Sequence, residues 1–98
     1  MTTISTTPDE IRVSFENGVD ACIGLAAIQS IDIEVIPTMG ADVDCIRLGH
    51  GDGKYLEVMD DADGFETLGE SLSERFRISP AIPLRFARLA APECVYLA

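Results

Sequence analysis

The chain has 98 residues, 47% of them hydrophobic and 24% charged, a composition typical of a globular protein rather than of a disordered or fibrous one. Seven Lys and Arg against 17 Asp and Glu give a formal net charge of -10, which disfavours binding to nucleic acids and to anionic membrane surfaces. Because no apolar stretch approaches the ~18 residues of a membrane span and no signal peptide is recognisable, we expect a cytoplasmic protein.

The N-terminal part of the chain changes character at about residue 10. The first nine residues are polar and rich in threonine, so we expect residues 1–9 to be a flexible segment and residues 10–98 to form a single domain. From Glu10 to Glu16, apolar and polar residues alternate. This alternation predicts a strand with one buried face.

Two hairpins are predicted in the next fifty residues. Asn17-Gly18 indicates a type I′ turn, in which both central positions have positive φ, with residues 19–27 as the return strand. The run 28–36 is rich in β-branched residues and predicts a further strand. Residues 43–48 and 54–59 then flank a glycine-rich segment with its own Asp-Gly turn, which predicts the second hairpin.

An amphipathic helix is predicted over residues 63–76. Apolar residues recur there at helical spacing, and they predict one buried stripe: Phe65, Leu68, Leu72 and Phe76. Asp63 is the expected N-cap, with Glu66 completing a capping box. The fold class is therefore α+β, with an antiparallel sheet of about five or six strands and this helix.

The C-terminal segment allows two structures. Past Pro80 and Pro83, residues 84–91 are compatible with a second short helix and residues 94–97 with a terminal strand. Sequence alone leaves open whether residues 82–97 are helix or strand.

The chain's cysteines are odd in number and far apart in sequence. Cys22, Cys45 and Cys94 are accompanied by no recognisable signal peptide, so a disulfide framework is the poorer interpretation. We expect three buried, reduced thiols.

Motifs for metal binding and catalysis are incomplete. Asp61, Asp63, Gly64 and Glu70 match part of a calcium-loop pattern, but Met59 stands where its first aspartate ligand belongs. The lone His50 has no second imidazole or thiol at ligand spacing. No nucleophile, base and orienting group occur together, so we expect neither an enzyme nor a bound metal or cofactor.

Charge is distributed unevenly along the chain. The last 24 residues carry four arginines against one glutamate, whereas the rest is strongly acidic. A cationic C-terminal segment of this kind can dock on the acidic body of its own chain or on an acidic partner. The residues that we single out as candidates for protein interaction are Asp60, Asp61, Asp63, Arg85, Arg88 and Tyr96.

Several segments of the sequence resemble segments of small bacterial proteins with a pleckstrin-homology-like (PH-like) fold. The segments that carry the resemblance are 24–31 (GLAAIQSI), 44–48 (DCIRL), 55–58 (YLEV), 64–68 (GFETL) with Leu72, and 93–96 (ECVY). The resemblance implies a curved antiparallel sheet, a partial barrel closed at one end by the 63–76 helix. Lipid-binding members have a basic first hairpin, whereas residues 16–20 are acidic here, so phosphoinositide binding is not implied.

The sequence leaves two functions open. The first is a non-enzymatic protein-binding or scaffold module that presents an edge strand, or the groove beside its helix, to another protein. The alternative is an acidic immunity-type or nucleic-acid-mimicking inhibitor of a basic partner protein. We also expect a homodimer, because the apolar segment 84–97 exceeds what a small core readily covers; packing of that segment within one chain is the competing interpretation.

Overall fold

A computed structural model describes residues 1–51, 53–78, 86 and 91–98. Within these residues the chain is α+β, as predicted, with seven strands in two antiparallel sheets and one α-helix, α1 (Phe65–Arg75). The strands are β1 (Thr3–Thr6), β2 (Glu10–Ser14), β3 (Asp20–Gly24), β4 (Ile28–Pro37), β5 (Asp42–His50), β6 (Lys54–Met59) and β7 (Glu93–Leu97). The sheets have the orders β1-β2-β3 and β6-β5-β4-β7.

The prediction of a single sheet of five or six strands is wrong for two reasons. A 3-10 turn, Leu25–Ala27, interrupts the expected strand 19–27 and separates β3 from β4. In addition, the N-terminal segment 1–9, expected to be flexible, contains β1, which pairs with β2 along its whole length. Burial of Ile4 explains this pairing, since its side chain is part of the core.

One hydrophobic core joins both sheets and the helix. Its strand residues come from alternate positions, so each sheet has one buried face. The predicted helical stripe is confirmed: Leu68 and Leu72 are fully buried, and Phe65 and Phe76 pack against the core from partly buried positions. The sheet residues in the same cluster include Ile31, Ile33, Ile46 and Leu56.

The first hairpin is confirmed, but its turn is not type I′. The register pairs Ser14 with Asp20, and the Phe15 N–H donates to the Val19 carbonyl over 2.8 Å. Of the turn residues only Gly18 has positive φ, at 86°. Asn17 instead accepts the Val19 N–H through its side-chain Oδ1 over 3.0 Å. The connection is therefore a three-residue loop with a glycine bulge.

Helix α1 begins without the predicted side-chain cap. Its N-cap residue is Gly64, at φ 93°, and no side-chain hydrogen bond caps the first turn, so the expected N-cap role of Asp63 is wrong. Asp63 instead forms a parallel bridge with Thr3, next to β1. Tertiary pairing with the N-terminal strand therefore replaces local capping.

The C-terminal strand is confirmed as β7, which pairs with β4. The predicted helix over residues 84–91 lies outside the described residues except for Phe86 and Ala91. Phe86 is buried, and its ring centroid lies 6.1 Å from that of Phe65.

Candidate binding surface

The outward face of the four-stranded sheet carries three rows of side chains that cross from β4 to β6. Strand alternation directs Ile33, Ile46 and Val58 into the core and their neighbours outward. The register then aligns the outward residues. The central row is Asp32, Arg47 and Glu57, and the flanking rows are Ser30, Gly49 and Tyr55 on one side and Glu34, Cys45 and Met59 on the other.

The central row alternates in charge across three strands. Arg47 donates from Nε to Glu57 Oε1 over 3.1 Å. Burial lowers the pKa of Arg47, but the carboxylates of Glu57 and Glu34 outweigh that effect and raise it, so the guanidinium stays charged. The other Glu57 oxygen, Oε2, accepts no hydrogen bond from the residues that the structure describes.

A small cavity of about 110 Å³ opens beside this row, between β5, β4 and β7. Cys45 lies at its floor and is almost fully buried, and burial together with Glu57 and Glu34 raises the pKa of its thiol to about 11. A thiol with this pKa is protonated at neutral pH and is a poor nucleophile. The lining residues are Asp32, Glu34, Cys45, Arg47, Pro92, Glu93 and Cys94.

Strand β6 forms one edge of the sheet, and its outward side chains are exposed. Tyr55 is 58% exposed and Met59 40%, and Glu57 lies between them. The Tyr55 ring lies close to Gly49: a Cβ added at Gly49 would meet that ring at 3.3 Å and clash with Ser30 Oγ. The Arg47 guanidinium carbon sits 5.7 Å from the Tyr55 ring centroid.

Several backbone groups of β6 along this edge have no partner in the part of the chain that the structure describes. The Asp60 N–H donates to the Asp44 carbonyl over 2.9 Å, which fixes the alternation of bonded and non-bonded pairs between β5 and β6. Because hydrogen-bonded positions recur at every second residue of an antiparallel strand, Leu56 and Val58 also form backbone hydrogen bonds with β5. The N–H and C=O groups of Tyr55 and Glu57 and the N–H of Met59 point away from β5, where no described strand pairs. The Met59 carbonyl instead accepts the Ala62 N–H over 3.0 Å.

Four of the six predicted interaction residues lie in the described part of the chain, near the two ends of α1. Asp60, Asp61 and Asp63 are exposed around the entrance to α1. Tyr96 lies on β7, where its ring packs on Phe76 with centroids 4.4 Å apart. The remaining candidates, Arg85 and Arg88, lie outside the described residues.

The carboxylate of Asp44 lies near two others, those of Asp60 and Asp42. Asp44 N–H donates to Asp60 Oδ2 over 3.2 Å, so the two residues hold each other at the end of the β5-β6 pair. Partial burial, then the charges of Asp60 and Asp42, raise the pKa of Asp44. Like charges therefore accumulate at this end of the sheet.

The thiols differ from the prediction. Cys45 is buried, but Cys22 and Cys94 are exposed, so the expectation of three buried thiols is wrong. Both lie at outward positions of edge strands. Cys22 Sγ is 3.2 Å from Glu10 Oε2, and Cys94 Sγ donates to the Tyr96 carbonyl over 3.3 Å.

Clusters of metal-ligating side chains and helices able to span a membrane were both sought in the described part of the chain. Among residues 1–51, 53–78, 86 and 91–98, no three His, Cys, Asp or Glu side chains are grouped so as to hold a metal ion. Within the same residues, every helix is too short or too polar to cross a membrane.

Sequence reasoning missed the residues at the centre of this surface. Alternation in residues 54–59 shows that Tyr55, Glu57 and Met59 share a face. It does not show that Arg47 and Asp32 stand in line with Glu57, because that alignment depends on the register between strands. In comparisons with known proteins, no family model, no curated protein and no solved structure matches the chain.

Proposed function

We propose that this chain is a non-enzymatic protein-binding module that takes an extended segment of another protein as an added strand along β6. The observation that carries the proposal is the edge of β6, where Tyr55 and Glu57 have no strand partner among the described residues and where Tyr55 and Met59 are exposed on one face. In strand addition, main-chain hydrogen bonds supply affinity, and pockets or contacts for alternate side chains supply specificity.

The edges of the three-stranded sheet, β1 and β3, offer less to a partner strand. The outward positions of β3 are Asp20, Cys22 and Gly24, which present no large apolar side chain. Strand β1 is tied to the segment before α1 through its bridge with Asp63. A segment docked on β6 gains both backbone pairing and apolar contact.

A photo-crosslinking side chain placed in the full-length chain, expressed in its source cell, tests this proposal. At Tyr55 or Met59 we expect a covalent adduct with a discrete partner protein. Val19 is the matched control, because it is 56% exposed but lies in the β2-β3 hairpin. Equal yields of the same adduct at Val19 and Tyr55 would overturn the assignment to β6.

A pair of variants tests the backbone edge itself. Glu57→Pro removes an N–H that points to the free edge, and Glu57→Ala removes the same side chain but keeps that N–H. We expect the adduct at Tyr55 to survive in Glu57→Ala and to be lost in Glu57→Pro, with both variants folded by circular dichroism. Survival in both would show that the partner does not pair with the strand.

The second candidate function is inhibition of a basic partner by an acidic mimic. It is supported by the crowding of Asp42, Asp44 and Asp60, whose mutual repulsion a cationic partner would relieve. This function predicts that the captured complex dissociates steeply between low and moderate salt, whereas strand addition predicts a weak salt dependence.

Our proposal extends to the detailed fold, the location in the cell, the binding partners and the oligomeric state. We infer a PH-like arrangement, which the three-stranded and four-stranded antiparallel sheets around one core support. We also infer a cytoplasmic protein without catalytic activity that binds neither nucleic acid nor membranes and forms a homodimer. Sedimentation equilibrium at micromolar concentration tests the dimer, and a monomer mass at both low and moderate salt would exclude it.

A further inference from the structure

We propose that the segment added to β6 carries a Lys or Arg opposite Glu57 and an apolar residue two positions away on each side, opposite Tyr55 and Met59. This inference rests on the proposed strand addition and names the chemistry of the partner. It describes an extended segment in which the residues facing outward read apolar, basic, apolar.

The charge row supports the basic position. Asp32, Arg47 and Glu57 alternate in sign from β4 to β6, so the next strand continues the alternation with a cation. Opposite charges on directly opposed residues stabilise paired strands, and like charges destabilise them. Arg47 contacts one Glu57 oxygen, and Glu57 Oε2 is left for a donor from the added strand.

The flanking rows support the apolar positions. Tyr55 and Met59 are the exposed ends of rows that continue into Gly49 and Cys45, which are buried. Aromatic side chains pair favourably with β-branched residues across strands, and methionine adapts to varied apolar partners. A β-branched residue opposite Tyr55 and an aliphatic or aromatic residue opposite Met59 therefore fit this edge.

The same charges argue against a second copy of this chain as the occupant of β6. A two-fold antiparallel pairing of β6 with itself, in the register that places Tyr55 opposite Met59, places Glu57 opposite Glu57 of the second copy. Directly opposed carboxylates destabilise such a pair. An acidic segment of another protein meets the same repulsion.

A displayed library of randomised peptides of about ten residues, long enough to cover one strand, tests the inference on the full-length protein. Selections are run in parallel on the wild type, Glu57→Gln, Glu57→Lys, Glu57→Ala and Glu57→Pro, each shown to be folded by its thermal transition. We expect wild-type selections to enrich a basic residue between apolar residues at spacing two. Synthetic peptides of that pattern should bind Glu57→Gln about two- to fivefold more weakly.

The variants separate the failure of this inference from the failure of the proposed function. With Glu57→Lys, we expect the basic position to become acidic while the apolar positions persist. Peptides that bind wild type and Glu57→Ala but not Glu57→Pro, and that show no charge preference at this position, would leave strand addition standing and overturn the basic partner. Peptides that bind Glu57→Pro and Glu57→Ala equally, or no enrichment on wild type, would overturn both.

Discussion

The backbone N–H of Ile4 donates to the carbonyl oxygen of Asp63 over 2.7 Å, and the Asp63 N–H donates to the Thr2 carbonyl over 2.9 Å. These two bonds connect the N-terminal strand to the segment that leads into α1. Gly64 follows immediately in the left-handed conformation, and its Cα faces the Ile4 backbone so closely that a Cβ would clash with the Ile4 carbonyl oxygen. The start of the helix is thus set by β1.

We expect Gly64→Ala to lower the free energy of unfolding by more than ~2 kcal/mol, because it adds a backbone clash to the cost of positive φ. Gly18→Ala is the matched control: Gly18 has φ 86° and no atom within 4 Å of its Cβ position, so about 1–2 kcal/mol is expected from conformation alone. Urea unfolding measures both. Equal losses would contradict the close approach of β1.

Leu72 tests the packing of α1 against the sheets. Its side chain is fully buried, so Leu72→Ala should lower the free energy of unfolding by ~2–5 kcal/mol through lost burial and the cavity left behind. Glu70→Ala, on the exposed side of the same helix, should change it by less than ~0.5 kcal/mol. A loss below about 1 kcal/mol for Leu72→Ala would show that the stripe is not a core element.

Sequence patterns predicted the elements whose signals are local. The alternation from Glu10 to Glu16, the glycine at position 18 and the apolar spacing from Phe65 to Phe76 each specify a face or a turn from neighbouring residues. The hairpins and the helical stripe accordingly agree with the structure.

Features set by distant contacts were not predictable in this way. Asp63 has the side chain of a good N-cap, yet its backbone pairs with residues some sixty positions earlier, and this pairing decides where the helix begins. In the same way, Arg47 meets Glu57 only through the register of β5 and β6. The candidate surface therefore emerges from strand pairing, which composition and periodicity do not encode.

The three thiols should differ in reactivity towards iodoacetamide at pH 8. Cys45 is buried with a pKa raised to about 11, so roughly a thousandth is thiolate at that pH, and it should remain unlabelled until the chain unfolds. Exposed Cys22 and Cys94 should be labelled in the folded protein. Mass spectrometry after timed labelling gives the order.

The variant Asp32→Asn is a control for the predicted reactivity of Cys94. Partial burial and the adjacent Asp32 carboxylate raise the pKa of Cys94. Asp32→Asn removes that charge and should speed labelling of Cys94 at pH 8 without exposing Cys45. Labelling of Cys45 at the rate of Cys94 in the folded wild type would contradict its burial.

The pKa of Asp44 predicts a pH dependence of stability. Because burial, Asp60 and Asp42 raise it in the folded state, the folded chain holds this proton more tightly than the unfolded chain. Stability from Asp44 is therefore lost as pH rises from its ordinary value of 3.8 through the raised value. Asp60→Asn keeps an oxygen to accept the Asp44 N–H but removes one of the repelling charges.

We therefore expect Asp60→Asn to lower the pKa of Asp44 and to raise the melting temperature more at pH 7 than at pH 4, by the equivalent of less than ~1 kcal/mol. Asp61→Asn makes the same change in net charge at the adjacent residue and is the control. Carboxyl chemical shifts report the Asp44 titration directly. An Asp44 pKa that moves equally in both variants would indicate a general charge effect rather than the Asp60 contact.

Arg77 occupies the position after the helix where glycine is favoured. Its φ of 54° is the one positive value at a non-glycine residue among those described, and the following Ile78 N–H donates to the Ser73 carbonyl over 3.0 Å. This six-to-one bond is characteristic of helix ends at which the residue after the C-cap, here residue 77, adopts the left-handed conformation. Arginine therefore holds a conformation that costs a side-chain-bearing residue free energy.

Arg77→Gly should accordingly raise the free energy of unfolding by ~0.5–1 kcal/mol, since glycine adopts positive φ without that cost. Arg77→Ala removes the same charge and the same long side chain but keeps a Cβ, so it should give no comparable gain. Paired urea unfolding curves at one pH and salt concentration measure the difference, with equal slopes showing that the unfolded states are alike. If alanine stabilised the protein as much as glycine, the gain would come from loss of the arginine charge, and the backbone conformation at residue 77 would carry no measurable cost.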